Sequence, residues 1–87
     1  MASENRELKK AGLKVTAPRL KILSMLSDAS GQGDHFSAED LYQRLRDTGE
    51  DIGLATVYRV LTQFESAGLV IRHNFVAGYS VFEMASD

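Results

Sequence analysis

Cysteine is absent from these 87 residues, which excludes a disulfide framework and any thiolate metal site. The fold has to be held by apolar packing, a condition suited to a reducing cytoplasm. No apolar run approaches the ~20 residues that a membrane span needs, and Met1-Ala2-Ser3-Glu4-Asn5 has no signal-peptide core. The expectation is a cytoplasmic chain with no membrane partner. Catalytic spacing is missing as well: no Ser/His/Asp or His/Glu arrangement supplies a nucleophile and its base, and a chain this short buries too little surface to enclose a large active site. An enzyme is not expected. Proline occurs once, at Pro18.

What is present is the composition of one globular domain, 44% hydrophobic and 25% charged. Ten Lys and Arg against twelve Asp and Glu leave a net charge of −2, which by itself argues against a nucleic-acid partner. The distribution argues the other way. Lys9, Lys10, Lys14, Arg19 and Lys21 fall between Lys9 and Leu26 with no acid among them, whereas Asp34 to Asp51 carries Asp34, Glu39, Asp40, Asp47, Glu50 and Asp51 against Arg44 and Arg46. Polarity of this kind is usually only a pair of solvated faces; it gains meaning if the basic segment lies beside an element that reads DNA.

Hydrophobic period places the elements. Glu4 to Ala11 is a short charged helical pattern, slight in apolar content, that Gly12 ends. Thr16-Ala17-Pro18 starts a second helix, with Thr16 as N-cap and the proline in the first turn, where its missing N–H costs nothing. Leu20, Ile22, Leu23, Met25 and Leu26 give that helix a broad apolar face, and Ala29 to Asp34 reads as the loop that ends it. Ser37-Ala38-Glu39-Asp40 caps a third helix, with Ala38, Leu41, Tyr42 and Leu45 at i, i+3, i+4 and i+7 and Gly49 as its stop. Leu54, Val57, Leu61 and Phe64 fall on one face of a fourth helix that ends at Gly68, while Ala55, Arg59, Thr62 and Ser66 line the opposite face. After Gly68 the period changes from 3.6 to 2: Leu69–Phe75 and Tyr79–Glu83 alternate as strands joined by Val76-Ala77-Gly78.

The fold class expected is mainly α with a small β-hairpin: a winged helix-turn-helix of about four helices followed by a two-stranded antiparallel wing. The helices over 37–48 and 54–67 form the helix-turn-helix. A helix that enters a major groove needs a slim outward face near its N-terminus with a few side chains long enough to reach base edges. Ala55, Thr56, Tyr58 and Arg59 meet that description: Arg59 can bond bidentately to guanine, Tyr58 can pack on thymine methyls, and Thr56 can touch a phosphate. Winged helices also serve as protein-interaction modules, and the period alone leaves that alternative open.

Four blocks carry a resemblance: Ala11-Gly12-Leu13-Lys14-Val15-Thr16-Ala17-Pro18-Arg19, Ser37-Ala38-Glu39-Asp40-Leu41-Tyr42, Gly53-Leu54-Ala55-Thr56-Val57-Tyr58-Arg59-Val60-Leu61, and Gly68-Leu69-Val70-Ile71-Arg72-His73-Asn74-Phe75. In this order they resemble the N-terminal DNA-binding domain of the ferric uptake regulator family. The departures, a Gly-rich loop over Ser30 to Asp34 and Ala77 in place of a frequent glycine, lie in connectors.

The resemblance implies a dimeric, metal-dependent transcriptional regulator, usually a repressor of iron acquisition, that binds AT-rich inverted-repeat operators. It implies that Lys14 reaches into the minor groove, that Tyr58 and Arg59 read the major groove, and that Arg19 contacts the DNA backbone; Thr16 joins the expected DNA-binding set. It also implies a C-terminal dimerisation and metal domain that residues 1–87 do not include, so the expectation is a DNA-binding domain alone, monomeric as it stands and dimeric in its parent. His35 and Glu83 match positions that help ligate the regulatory Fe²⁺, Zn²⁺ or Mn²⁺ between the domains. On residue spacing alone, with two histidines 38 positions apart and no short ligand spacing, His35 reads as a loop His and Glu83 as a strand Glu instead. A partial ligand set of this kind is expected to bind metal weakly or not at all. His73 is expected to be a packed or hydrogen-bonded strand residue.

Overall fold

Residues 2–30 and 36–85 are described by the computed structural model. Four helices precede one hairpin: α1 (Ala2–Lys10), α2 (Ala17–Ser30), α3 (Ala38–Asp47), α4 (Leu54–Ser66), β1 (Val70–Asn74) and β2 (Ser80–Met84). The expected architecture is present, with shifts at the element ends that have local causes.

Helix α1 starts two residues earlier than its charged pattern suggests and is less peripheral. Leu8 is fully buried in the common core, so a single leucine seats an otherwise polar helix. The helix ends where the Leu13 amide donates to the Leu8 carbonyl at 2.9 Å around Gly12, whose φ of +78° is left-handed and costs a glycine little. The same six-residue closure ends α4, Leu69 N–H to Phe64 carbonyl at 2.9 Å around Gly68. That bond explains why β1 opens at Val70 and not at Leu69. Helix α2 runs through Ser30, past the expected stop at Ala29: neither Ala29 nor Ser30 forbids a helical backbone, and the first glycine is Gly31.

Helix α3 begins in a full capping box. The Asp40 amide donates to Ser37 Oγ at 3.0 Å, and the Ser37 amide donates to Asp40 Oδ2 at 3.1 Å. Two helix-end amides are thereby satisfied reciprocally. Ala38, Leu41 and Leu45 are buried as the spacing requires, with Tyr42 half-buried. In α4 the buried set is Val57, Val60, Leu61 and Phe64, again i, i+3, i+4 and i+7, while Leu54 is only partly covered. Ile22, Leu23 and Leu26 of α2 complete the helical side of the core. Burying each such side chain is worth roughly 1.5–3 kcal/mol, which makes this shared core the source of the fold's stability.

The hairpin pairs Val70 with Met84, Ile71 with Glu83, Arg72 with Phe82, His73 with Val81 and Asn74 with Ser80. Its turn closes with the Gly78 amide donating to the Phe75 carbonyl at 2.9 Å, so β2 starts at Ser80, one residue later than the alternation suggests. A further pairing was not visible in the sequence. Phe36 exchanges both backbone bonds with Phe82, at 3.1 and 2.7 Å, and thereby ties the approach to α3 onto the wing. Arg44 lies over the Phe36 ring at 4.5 Å and Arg72 over the Phe82 ring at 5.0 Å, so two guanidinium groups cover the paired phenylalanines.

Candidate nucleic-acid interface

The outward side of α4 is as slim as its sequence implies. Ala55, Arg59, Thr62 and Ser66 are all exposed, Thr56 is half-buried, and Tyr58 is 42% exposed at the edge of that face. Most arginines of the domain are occupied by the fold: Arg44, Arg46 and Arg72 lie over aromatic rings, and Arg72 also pairs with Glu65 at 3.2 Å. Arg59 makes no such contact among the described residues. Its planar fork of donors stands in solvent in the first half of α4, where a base edge could receive it.

Tyr58 is held. Its hydroxyl donates to Glu39 Oε2 at 2.6 Å, joining the first turn of α3 to α4. That bond to a carboxylate, with smaller contributions from desolvation and the Glu39 charge, raises the phenol above its ordinary value, while Arg72 pulls it the other way. Because the folded pKa is the higher one, the stabilisation is complete below the unfolded phenol value near ~10. It is lost as pH rises through the raised folded value. Glu39→Gln should lower the Tyr58 pKa, read by ultraviolet titration of tyrosinate as the difference between Tyr58 and Tyr58→Phe backgrounds. An unmoved titration would mean that the carboxylate does not hold the ring.

The basic segment resolves into separate roles. Lys14 is exposed in the connector between α1 and α2, and Lys9 and Lys10 are exposed in the last turn of α1. Lys21 turns away to Glu50 at 3.6 Å. Arg19 is half-buried and largely used internally: Nη1 donates to the Lys14 carbonyl at 2.7 Å, Nε and Nη2 donate to Gln63 Oε1 at 3.3 and 2.8 Å, and two N–H bonds remain. The Thr16 hydroxyl accepts from the Arg19 amide at a long 3.4 Å, so it serves as the weak N-cap of α2. Lys14, Thr16 and Arg19 therefore adjoin α4 through Gln63, a residue that the sequence does not single out because its amide gives no charge or motif signal.

Of the two expected metal donors, His35 lies outside the described residues. Glu83 sits on the wing with Oε1 2.5 Å from His73 Nε2, so the histidine expected to have only a structural bond is the one that meets the candidate ligand. Imidazole and carboxylate suit a divalent transition metal. Two donors do not complete its coordination, and no group of three or more His, Asp or Glu side chains converges among the described residues. The described residues do not by themselves fit a whole metal centre.

Helices α3 and α4 followed by a two-stranded antiparallel wing define a winged-helix domain with its helix-turn-helix exposed along α4. A sequence model of the ferric uptake regulator family matches residues 10–87, and the chain belongs to that family. It is 67% identical over 84 residues to the ferric uptake regulation protein of Pseudomonas aeruginosa, covering 97% of this chain and 61% of that protein. It is 64% identical over 87 residues to the one from Escherichia coli K12, covering all of this chain and 57% of that protein. The chain thus spans about three fifths of the length of these relatives. Among solved structures, the Pseudomonas aeruginosa ferric uptake regulator with manganese superposes with a TM-score of 0.87 at 65% identity, over 97% of this chain and 61% of that one. The Vibrio cholerae ferric uptake regulator gives 0.88 at 60% identity, over 95% and 62%. No helix of the described residues is long and apolar enough to cross a membrane.

Proposed function

We propose that this chain is the DNA-binding domain of a metal-dependent repressor of iron-uptake genes that recognises AT-rich inverted-repeat operators in the cytoplasm. The observation that carries the reading is Arg59, exposed on the slim face of α4 and uncommitted among the described residues, while Arg19, Arg44 and Arg72 serve the fold. Ala55, Thr56 and Tyr58 line the major-groove contact around it. Lys14 supplies the minor-groove cation, favoured where A·T pairs narrow the groove and deepen its negative potential. Arg19 uses its remaining donors on the phosphate backbone, and Thr16 flanks it.

The working unit is a homodimer of the parent protein, one winged helix to each half-site; the 87 residues alone are a monomer. In the parent, His35 and Glu83 contribute part of a site for Fe²⁺, or for Zn²⁺ or Mn²⁺, and the other donors come from a second domain. The family membership supports this reading, as do the metal named with the Pseudomonas aeruginosa structure and its high similarity to this chain.

The test is equilibrium binding to an AT-rich palindromic duplex and to a scrambled duplex across a salt series. The palindrome should bind more tightly, and log affinity should fall linearly with log salt by about 0.9 for each phosphate contacted. Absence of binding to either duplex at low salt would refute the reading and favour a protein-interaction winged helix.

A further inference from the structure

The side chain of Gln63 bears no charge and sits half-buried, yet it is where the two parts of the interface meet. Its Oε1 accepts from both Nε and Nη2 of Arg19, at 3.3 and 2.8 Å, across 44 positions of sequence. The same guanidinium donates from Nη1 to the Lys14 carbonyl at 2.7 Å. A guanidinium is planar and rigid, so bonds on its two sides fix the acceptors relative to each other. The connector that carries Lys14 has no helix or strand of its own; Leu13 and Val15 pack it against the core, and its two ends are tied by the Leu13 amide to the Leu8 carbonyl and by the Leu20 amide to the Thr16 carbonyl. On α4, Gln63 lies one turn beyond Arg59, at i+4.

We infer that Gln63 is a positioning residue for minor-groove recognition: through Arg19 it holds the Lys14 segment at a set place relative to α4. The inference rests on the DNA-binding reading above and deepens it. Groove spacing on a duplex is fixed, so a cation meant for the minor groove is effective only if its backbone is held at the right distance from the helix in the major groove. A segment ordered before binding also loses less freedom on binding than one that must be ordered by the DNA. The coupling acts through geometry and needs no contact between Gln63 and DNA.

The experiment compares two duplexes, an AT-rich inverted repeat and the same repeat with its flanking A·T pairs replaced by G·C, whose amino group alters the minor groove. The unsubstituted chain should prefer the AT-rich duplex. Gln63→Leu should lower that preference by about tenfold, Lys14→Ala should lower it similarly, and the double variant should lower it no further, as two residues of one network do. Gln63→Glu, which still presents oxygen to Arg19, should keep the preference. A folding defect would weaken both duplexes alike, so the ratio isolates the positioning. As a measurement independent of any variant, the Arg19 Nε–H should exchange with solvent slowly in the unsubstituted chain.

If the unsubstituted chain discriminates between the duplexes and Gln63→Leu discriminates equally well, the coupling is wrong while the DNA-binding reading stands. Additive losses in the double variant, or fast exchange at Arg19 Nε, would also overturn it. If the unsubstituted chain shows no preference, the minor-groove role of Lys14 fails and the coupling fails with it.

Discussion

Phe82→Ala should destabilise the domain by about 3–5 kcal/mol, a large part of the roughly 5–15 kcal/mol that holds such domains folded. Phe82 is 1% exposed and belongs to the central core. Its backbone pairs on one side with Arg72 of β1 and on the other with Phe36, so its ring sits where the wing, the approach to α3 and the helical core meet. Truncation removes the ring's apolar contacts and leaves a cavity between elements that are too short to collapse around it. It also removes the ring from beside Arg72, whose Nε is buried with no hydrogen-bond partner among the described residues and whose guanidinium lies over that ring at 5.0 Å. A buried donor without a partner is tolerable beside the negative face of an aromatic ring and costly beside a void. Urea unfolding monitored by circular dichroism measures the change; a shift below about 1 kcal/mol would place the ring outside the cooperative core.

What could be read in the sequence was what local period controls. The apolar stripes of α3 and α4 have helical spacing, and the exposure of Ala55, Arg59, Thr62 and Ser66 follows once that spacing is fixed. Gly12 and Gly68 fall where a left-handed residue must close a helix. The unreadable part is pairing at long range. Nothing near Leu8 says that α1 is seated in the core, because one leucine makes no period; nothing near Phe36 announces its bridge to Phe82. Glu39 and Tyr58, 19 positions apart, and Arg19 and Gln63, 44 apart, look like unrelated surface residues until the fold brings them together.

The same limit shaped the reading of charge. A sum over the basic segment treats Lys14, Arg19 and Lys21 as equivalent, yet one is exposed, one is tied to Gln63 and one is paired with Glu50. Bonds to a neutral amide and a carbonyl fix the place of the Arg19 charge without offsetting it, whereas the Glu50 carboxylate offsets that of Lys21, so the electrostatic footprint is narrower than the composition suggests by that one cation. Affinity for DNA in a domain of net charge −2 must come from a few well-placed cations, and each should matter more than it would on a uniformly basic surface.

Arg59→Ala should accordingly cost about 1–3 kcal/mol on a specific duplex, roughly a 5- to 150-fold loss, and relax discrimination at one base position. The size follows from what the side chain offers. Arg59 brings a donor fork that makes no contact within the described part of the fold, so the variant removes no structural bond there and its stability should change by less than about 0.5 kcal/mol. The affinity that disappears is then affinity for DNA. Two contacts of different kind are distinguished by sequence dependence: a bidentate pair with guanine O6 and N7 is lost only where that guanine stands, whereas a phosphate contact is lost on every duplex. Binding of the unsubstituted chain and of the Arg59→Ala variant is to be measured on the operator, on operators altered one base pair at a time, and on scrambled DNA. The variant should approach the scrambled-DNA affinity on the operator and become indifferent to one base pair. If instead it loses the same factor on all duplexes and its salt slope falls by about 1, Arg59 holds a phosphate, and base reading by α4 has to rest on Tyr58 and its neighbours.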